Sequence, residues 1–328
     1  MMRYVIRRLL LAVPTLLFIS MVTFVVIELP QGDVLDQKVA ELEQLRSDST
    51  ARLRAEQLRT RYGLDRPMHE RYVKWIAGIP RGDFGESFRW EREVSELVGE
   101  RIGWTLVVSI GAMIFVWAIA IPVGIWTATK KHTLAARAVS AGTYIGMSLP
   151  GFLLALVALV VAFHWFGIPL HGLFSATYRD APWSFGKLAD LLQHLVVPIA
   201  VIGLSGTAGL VRIMRGNMLE VLGEPFVRTA RAKGLPERVV LLKHAARIAV
   251  NPLISILGMS LPDILSGTTI VSIVLGLPTV GPLLFQALLD QDMYLAGTIL
   301  LFMSVLLVIG NLLADLALAW ADPRIRHA

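Results

Sequence analysis

The sequence contains no cysteine among its 328 residues. Disulfide frameworks, thiol catalysis and cysteine-ligated metal sites are therefore excluded. The sequence also lacks the G-x-x-x-x-G-K-[ST] pattern of nucleotide-binding loops, and the HExxH, G-x-S-x-G and G-x-G-x-x-G patterns. We expect no catalytic residues and no cofactor, so the energy for any active process must come from another chain or from an ion gradient.

Charge is absent from long stretches of the sequence, and 55% of the residues of the whole chain are hydrophobic. About 20 consecutive apolar residues suffice to cross a bilayer as a helix. Stretches of this length predict an all-α polytopic membrane protein with six transmembrane helices. We expect them at residues 9–29, 104–129, 138 to before 171, 191–211, 253–275 and 294–320, with a short irregular segment, GLPTVGPLLFQALLDQD, before the last.

The net charge of +6 does not indicate nucleic-acid binding, because the excess lies in segments on one side of the predicted membrane. Both termini and the loops after the second and fourth helices hold sixteen Lys or Arg residues and four acids. The positive-inside rule places these segments in the cytoplasm.

The predicted helices and charges divide the chain into three parts. Residues 1–29 form the cytoplasmic N-terminal end and the first helix, which is longer than the apolar part of a signal peptide. Residues 30–103 form an extracytoplasmic soluble segment, with an amphipathic helix pair at 34–61 and an aromatic-rich loop domain around GIPRGDFGESF. Residues 104–328 form a five-helix core with a cytoplasmic loop at 212–252.

Ion coupling would require ionisable residues inside the helix bundle. Asp263 follows Pro262, where a broken helix can line a wet cavity, so this pair is a candidate for a pathway or gate. We interpret Glu28 as interfacial and Asp315 as structural. The three histidines near the second outer loop have no regular ligand spacing, so we predict no metal site; they are His164, His171 and His194.

Residues 224–252, EPFVRTARAKGLPERVVLLKHAARIAVNP, form the longest basic polar interruption in the C-terminal half. Pro225 and Pro236 suit the first positions of two short helices, and Gly234 suits a left-handed turn between them. One interpretation is a basic amphipathic helix that rests on anionic lipid. The small residues Ala230 and Ala232 favour instead a helix that docks into the groove of another protein.

Several segments resemble one family of membrane proteins. The run TARAKG at 229–234, eighteen residues before Pro252, is similar to the EAA loop of bacterial ABC importer permeases. The resemblance is to the first permease subunit of the dipeptide, oligopeptide and nickel family. It extends over nearly the whole chain through MRYVIRRLLLAVPTL, YGLDRPMHERYVKWIAGIPRGDFGESF, SLPGF, GLPTVGPLL and ADPRIR.

The resemblance implies a type I ABC importer-like permease in the bacterial cytoplasmic (inner) membrane. Its partners would be a second homologous permease, two cytoplasmic ABC ATPase subunits and an extracytoplasmic solute-binding protein, in a lipid bilayer and without nucleic acid. The segment from Ala230 to Gly234 would be the coupling helix in an ATPase groove. No acid lies within ARAKG, and Glu224 is the nearest one upstream. The implied coupling residues are Glu224, Thr229, Ala230, Arg231, Ala232, Lys233 and Gly234.

Short peptides are the implied solutes, and oligosaccharides or nickel complexes are the alternative within the same class. A proton-coupled secondary transporter is the alternative in a different class, and it would require Asp263 and Asp315. A membrane-embedded enzyme is disfavoured because the sequence carries no nucleophile–base or metal signature.

Overall fold

The computed structural model describes residues 2–29, 60, 63, 65–167 and 171–321, with only the backbone described at 2–5, 166, 255, 257–267 and 318–321. The helix pair predicted at 34–61 lies outside the described residues. The α-helices of the described residues are α1 (Met2–Glu28), α2 (Met68–Gly78), α3 (Val94–Thr129), α4 (Leu134–Ser148), α5 (Gly151–Phe166), α6 (Phe185–Leu222), α7 (Pro225–Ala232), α8 (Glu237–Val239), α9 (Ala246–Ala249), α10 (Asn251–Val274), α11 (Val280–Leu289) and α12 (Met293–Ala321). A 3₁₀ turn follows α2 at Ile79–Arg81, and a π-helical segment, Val240–Ala245, separates α8 from α9.

The all-α membrane architecture predicted from the sequence is confirmed. Within the described part of the chain, four segments are long and apolar enough to cross a bilayer: Ile6–Glu28, Val94–Thr129, Phe185–Leu222 and Met293–Ala317. The pair α4 and α5 gives a fifth span if the two helices count as one. The 24-residue helix α10 occupies the fifth predicted position, although many of its side chains are not described. The count of six spans therefore stays a prediction.

The segment predicted as one third helix is two helices bent by 100°. The break falls at Leu149 and Pro150, which have extended backbones with ψ of 123° and 135°. A proline disfavours the helical conformation at the residue before it, so Leu149 cannot continue α4. The SLPGF sequence is thus the site of a sharp bend.

Two further boundaries differ from the sequence prediction. Helix α6 continues to Leu222, so the predicted start of the cytoplasmic loop at residue 212 lies inside a helix. The segment expected to be irregular before the last span forms α11, and one face of this helix is buried through Val280, Leu283, Leu284 and Ala287. Its apolar face provides the packing that stabilises so short a helix.

The described residues divide into two compact units. The first, here called the N-terminal unit, contains residues 2–104 and 279–306. Its buried centre includes Phe24, Trp75 and Phe88. The predicted interfacial Glu28 forms an ion pair with Arg71 of α2. Tyr72 places its hydroxyl 2.9 Å from Ser20 Oγ, so α2 packs along α1.

Asp292, just before α12, is the central polar residue of the N-terminal unit and is fully buried. Its carboxylate accepts hydrogen bonds from Ser87 Oγ at 2.5 Å, Phe88 N at 2.9 Å and Leu295 N at 3.1 Å. Burial raises the pKa of Asp292, and the hydrogen bonds from Ser87, Leu295 and Phe88 oppose that rise. The aromatic-rich GDFGESF loop is therefore held to the start of α12 by one carboxylate.

The second unit, here called the core unit, contains residues 105–278 and 307 onward. Its largest buried cluster joins the end of α3, the second half of α6 and the basic segment that follows. The fully buried residues Met214 and Met218 of α6 lie in this cluster together with Val227 and Val240. The apolar core of this unit thus includes side chains of the basic segment at residues 224–252.

Candidate functional site

The basic segment folds as a helical elbow, as the sequence predicts. Pro225 is the first residue of α7, where its missing N–H costs no intrahelical bond. Gly234 has a φ of +72°, a left-handed conformation that favours glycine. Pro236 occupies the N-cap position, so α8 begins at Glu237, one residue later than predicted. We call residues 224–239 the elbow.

One side of α7 packs against the core unit itself. Val227 is fully buried and Ala230 is 7% exposed. Both belong to the cluster that contains Met214 and Met218. The predicted role of Ala230 as a small residue facing a partner's groove is therefore not supported, because its methyl group packs within its own chain. Ala232 is exposed and keeps that role as a candidate.

The other side of the elbow is exposed. Six of the seven predicted coupling residues lie there, all except Ala230: Glu224, Thr229, Arg231, Ala232, Lys233 and Gly234. The Thr229 hydroxyl donates to the Pro225 carbonyl at 3.0 Å, so its hydrogen bond is made within α7. Arg228 is also exposed. The result is a basic surface at the tip of a folded turn.

An ion pair across the elbow was not anticipated from the sequence. Arg231 Nη2 lies 2.7 Å from Glu237 Oε1, and Arg231 Nε lies 3.1 Å from Oε2. The hydrogen bond from Arg231 lowers the pKa of Glu237, and the same bond raises the pKa of Arg231. An exposed pair of this kind contributes about 0–1 kcal/mol, so it orients α7 relative to α8 more than it stabilises the fold.

The elbow lies between two long helices of the core unit. Helix α6 ends at Leu222 and α10 begins at Asn251. The Asn217 side-chain amide donates to the Ala249 carbonyl at 3.1 Å, which ties the end of α6 to the segment preceding α10. The elbow is therefore attached to helices of the core unit on both sides.

The core unit also contains an open cavity of about 540 Å³. Its walls come from α3, the α4–α5 bend, α6 and α10, and include Trp117, Phe152, Ser205, Gly209 and Ile256. Sequence reasoning missed this cavity, because its walls are distant in the chain.

The remaining sequence candidates fall in different places. Pro262 and Asp263 lie within the continuous helix α10, so the predicted helix break is absent there. The structure describes only the backbone of these two residues. His194 Nδ1 lies 2.8 Å from the Asp190 carbonyl oxygen. His171 packs against Gly276. Among the described residues, no three His, Asp or Glu side chains are grouped to hold a metal ion.

Two family models match almost the entire chain. Residues 120–327 match the binding-protein-dependent transport system inner membrane component, and residues 1–109 match the N-terminal region of a binding-protein-dependent transport system membrane component.

Individual relatives agree with the family models. The chain is 32% identical to the oligopeptide transport system permease protein AppB of Bacillus subtilis, with full coverage of both chains. It is also 32% identical to the dipeptide transport system permease protein DppB of Escherichia coli, over 100% of this chain and 99% of that protein. Identity to the oligopeptide transport system permease protein OppB of Mycobacterium bovis is 33%, over 80% and 82% of the two chains. The chain therefore belongs to the family of inner membrane components of binding-protein-dependent transport systems.

Proposed function

We propose that the chain is a permease subunit of an ATP-driven ABC importer and forms half of the pathway for short peptides. The observation that carries the proposal is full-length similarity to proteins named as peptide permeases. The complete complex would contain a second homologous permease, two cytoplasmic ATPase subunits and an extracytoplasmic solute-binding protein. Both termini and the elbow would face the cytoplasm, as the basic loops indicate.

Transport by a reconstituted complex tests this function directly. Proteoliposomes that contain the chain with its partner permease, ATPases and binding protein should accumulate a labelled dipeptide only when ATP is hydrolysed. The matched control is the same complex with an ATPase that cannot hydrolyse ATP. Uptake of a sugar or a nickel complex instead of peptides, or peptide uptake driven by a proton gradient without ATP, would contradict the proposal.

The exposed side of the elbow is the surface proposed to bind an ATPase subunit. Its buried side is fixed by Val227 and Ala230, so the elbow would move as part of the core unit. The outward side is mixed, because it carries the small residue Ala232 and also two apolar side chains, Phe226 and Leu235, that are each 38% exposed. Such a surface could dock against a protein or a lipid, and it is the similarity to subunits of binding-protein-dependent transport systems that supports a protein partner.

Replacing Ala232 with tryptophan should weaken attachment of the ATPase subunits. A large ring at an exposed position on α7 would prevent close approach in a groove without disturbing the buried face of the helix. We expect at least a fivefold loss of ATPase co-purified with the chain, while Ala232→Ser retains normal amounts. Equal co-purification of both variants would show that α7 is not in the groove.

Pro262 and Asp263 are proposed to line the pathway. Ile256 and Ile270 of α10 both line the core cavity. Residue 263 is midway between them, and each step of seven residues makes about two helical turns. Register therefore assigns position 263 to the same face of α10 as the two isoleucines.

Asp263→Asn should change which peptides are imported without altering the need for ATP. A carboxylate beside the pathway attracts cationic peptides, and this attraction is strong where water is partly excluded. We expect uptake of a lysine-containing peptide to fall about threefold or more relative to a neutral peptide. Unchanged relative uptake would remove Asp263 from the pathway. The matched control is Glu220→Gln on α6, which also replaces a carboxylate by its amide but lies outside the cavity lining, and it should leave relative uptake unchanged.

A further inference from the structure

We propose that the cavity of the core unit is a transit site that takes the apolar side chains of peptides during import. This inference rests on the proposed function and specifies the part of the peptide that the site contacts. At about 540 Å³ the cavity falls within the range of small-molecule sites. It is large enough to admit an aromatic side chain together with part of a peptide backbone.

The walls of the cavity have the chemistry of a permissive apolar site. Met113, Trp117, Phe152 and Ile202 provide apolar surface, and Ser205 is the polar side chain among the described lining residues. No charged side chain lies among those described residues. Apolar contact is non-directional, so it accommodates different side chains without selecting one sequence.

Glycines of α6 provide the room in this cavity. Gly206 and Gly209 are among its lining residues, on the same wall as Ser205. A Cβ atom added at Gly209 would meet no atom within 4 Å. The space beside Gly209 is therefore open, and a larger residue there would occupy the cavity rather than displace a neighbour.

The start of α5 favours a peptide over a lipid chain as the occupant. Pro150, Gly151 and Phe152 line the cavity at the point where the membrane helix is broken. The N–H groups of Leu153 and Leu154 donate to the Pro150 carbonyl, which leaves those of Gly151 and Phe152 without intrahelical partners. A hydrocarbon tail cannot satisfy such groups, whereas the carbonyl groups of a peptide backbone can.

The cavity is also placed to respond to the elbow. Two of its walls are α6 and α10, the helices on either side of residues 224–239. Movement of the elbow would shift these two walls and so change the width of the cavity. Side-chain contacts in the cavity can then be made and released in each transport cycle.

Gly209→Leu should fill the cavity and select against bulky peptides. In the reconstituted complex, we expect uptake of a phenylalanine-containing dipeptide to fall at least fivefold relative to a dipeptide of glycine and alanine. The matched control is Gly216→Leu, the same change on the same helix outside the cavity, where an added Cβ also meets nothing within 4 Å. Retained uptake of the small peptide shows that the variant folds and assembles.

Equal uptake of the two peptides by the Gly209→Leu complex, whether both are normal or both reduced, would overturn the cavity assignment. That result leaves the proposed function intact if the unmodified complex imports both peptides with ATP. Failure of the unmodified complex to import any peptide would instead overturn the proposed function.

A chemical label separates a peptide from a lipid occupant. Because the chain has no cysteine, Ser205→Cys introduces a single thiol into the cavity wall. During ATP turnover, a peptide with a bromoacetyl group on its apolar side chain should alkylate this thiol at least tenfold faster than a phospholipid with a bromoacetylated tail. Labelling by the lipid probe alone would assign the cavity to the bilayer.

Discussion

Gly234→Val should abolish peptide uptake while the complex still assembles. Gly234 has a φ of +72°, and a β-branched residue is a genuine outlier in that conformation. The left-handed form costs an L-residue about 1–2 kcal/mol, and valine is less tolerant than most residues. The turn between α7 and α8 would therefore change direction and move the exposed face of the elbow out of position. We expect at least a tenfold loss of ATP-driven uptake, with ATP binding by the partner subunits unchanged.

The control for this prediction is Gly234→Asn. Asparagine adopts the left-handed conformation more readily than other non-glycine residues, so it should preserve most of the uptake. A Cβ at residue 234 meets no atom of the chain within 4 Å, so a clash within the subunit cannot explain a loss. Loss in both variants would assign Gly234 to close contact with a partner. Normal uptake by the valine variant would contradict the proposed coupling role of the elbow.

The parts of the site that depend on local sequence could be predicted. Proline at the first position of a short helix and glycine in a left-handed turn are local signals, and they located α7 and the turn at Gly234 correctly. The direction in which each side chain points could not be predicted from these local signals. Ala230 is buried because α7 packs on Met214 and Met218, which depends on tertiary contacts across the core unit.

The long-range features could not be predicted in this way. Trp117 and Ile256 line one cavity although more than a hundred positions separate them in the sequence. Arg231 and Glu237 pair because the chain turns between them. Within a single helix, side chains three or four residues apart meet, so a spacing of six does not predict a pair. The bend at Leu149 did carry a local signal, since Pro150 disfavours a helical residue before it. An unbroken charge-free stretch concealed that signal by suggesting one helix.

Asp292→Ala should strongly destabilise the N-terminal unit. The carboxylate accepts from Ser87 Oγ, Phe88 N and Leu295 N, and alanine would leave these donors buried without an acceptor. An unsatisfied buried donor costs about 1–3 kcal/mol. We expect a total loss of about 3 kcal/mol, seen as roughly 100-fold faster hydrogen exchange at the amides of Phe88 and Leu295.

Asp290→Ala is the matched control for this change. Asp290 lies two positions away and pairs with Arg89 at 2.7 Å, but the Arg89 side chain is 53% exposed. A pair of this kind contributes about 0–1 kcal/mol, so exchange at Phe88 and Leu295 should change by less than about tenfold. Equal effects of the two alanine variants would show that Asp292 does not hold the GDFGESF loop.

The pH dependence of exchange gives an independent test of the same residue. Because burial raises the pKa of Asp292, the folded unit binds a proton more readily at this site than the unfolded chain. The resulting stabilisation is fully present below the unfolded value of about 3.9 and is lost as the pH rises through the raised value in the folded unit. Protection of Phe88 and Leu295 in the unmodified chain should therefore decrease across that interval after correction for intrinsic exchange. Asp292→Asn, which cannot ionise, should remove this dependence, and an unchanged dependence in that variant would assign the titration to another group.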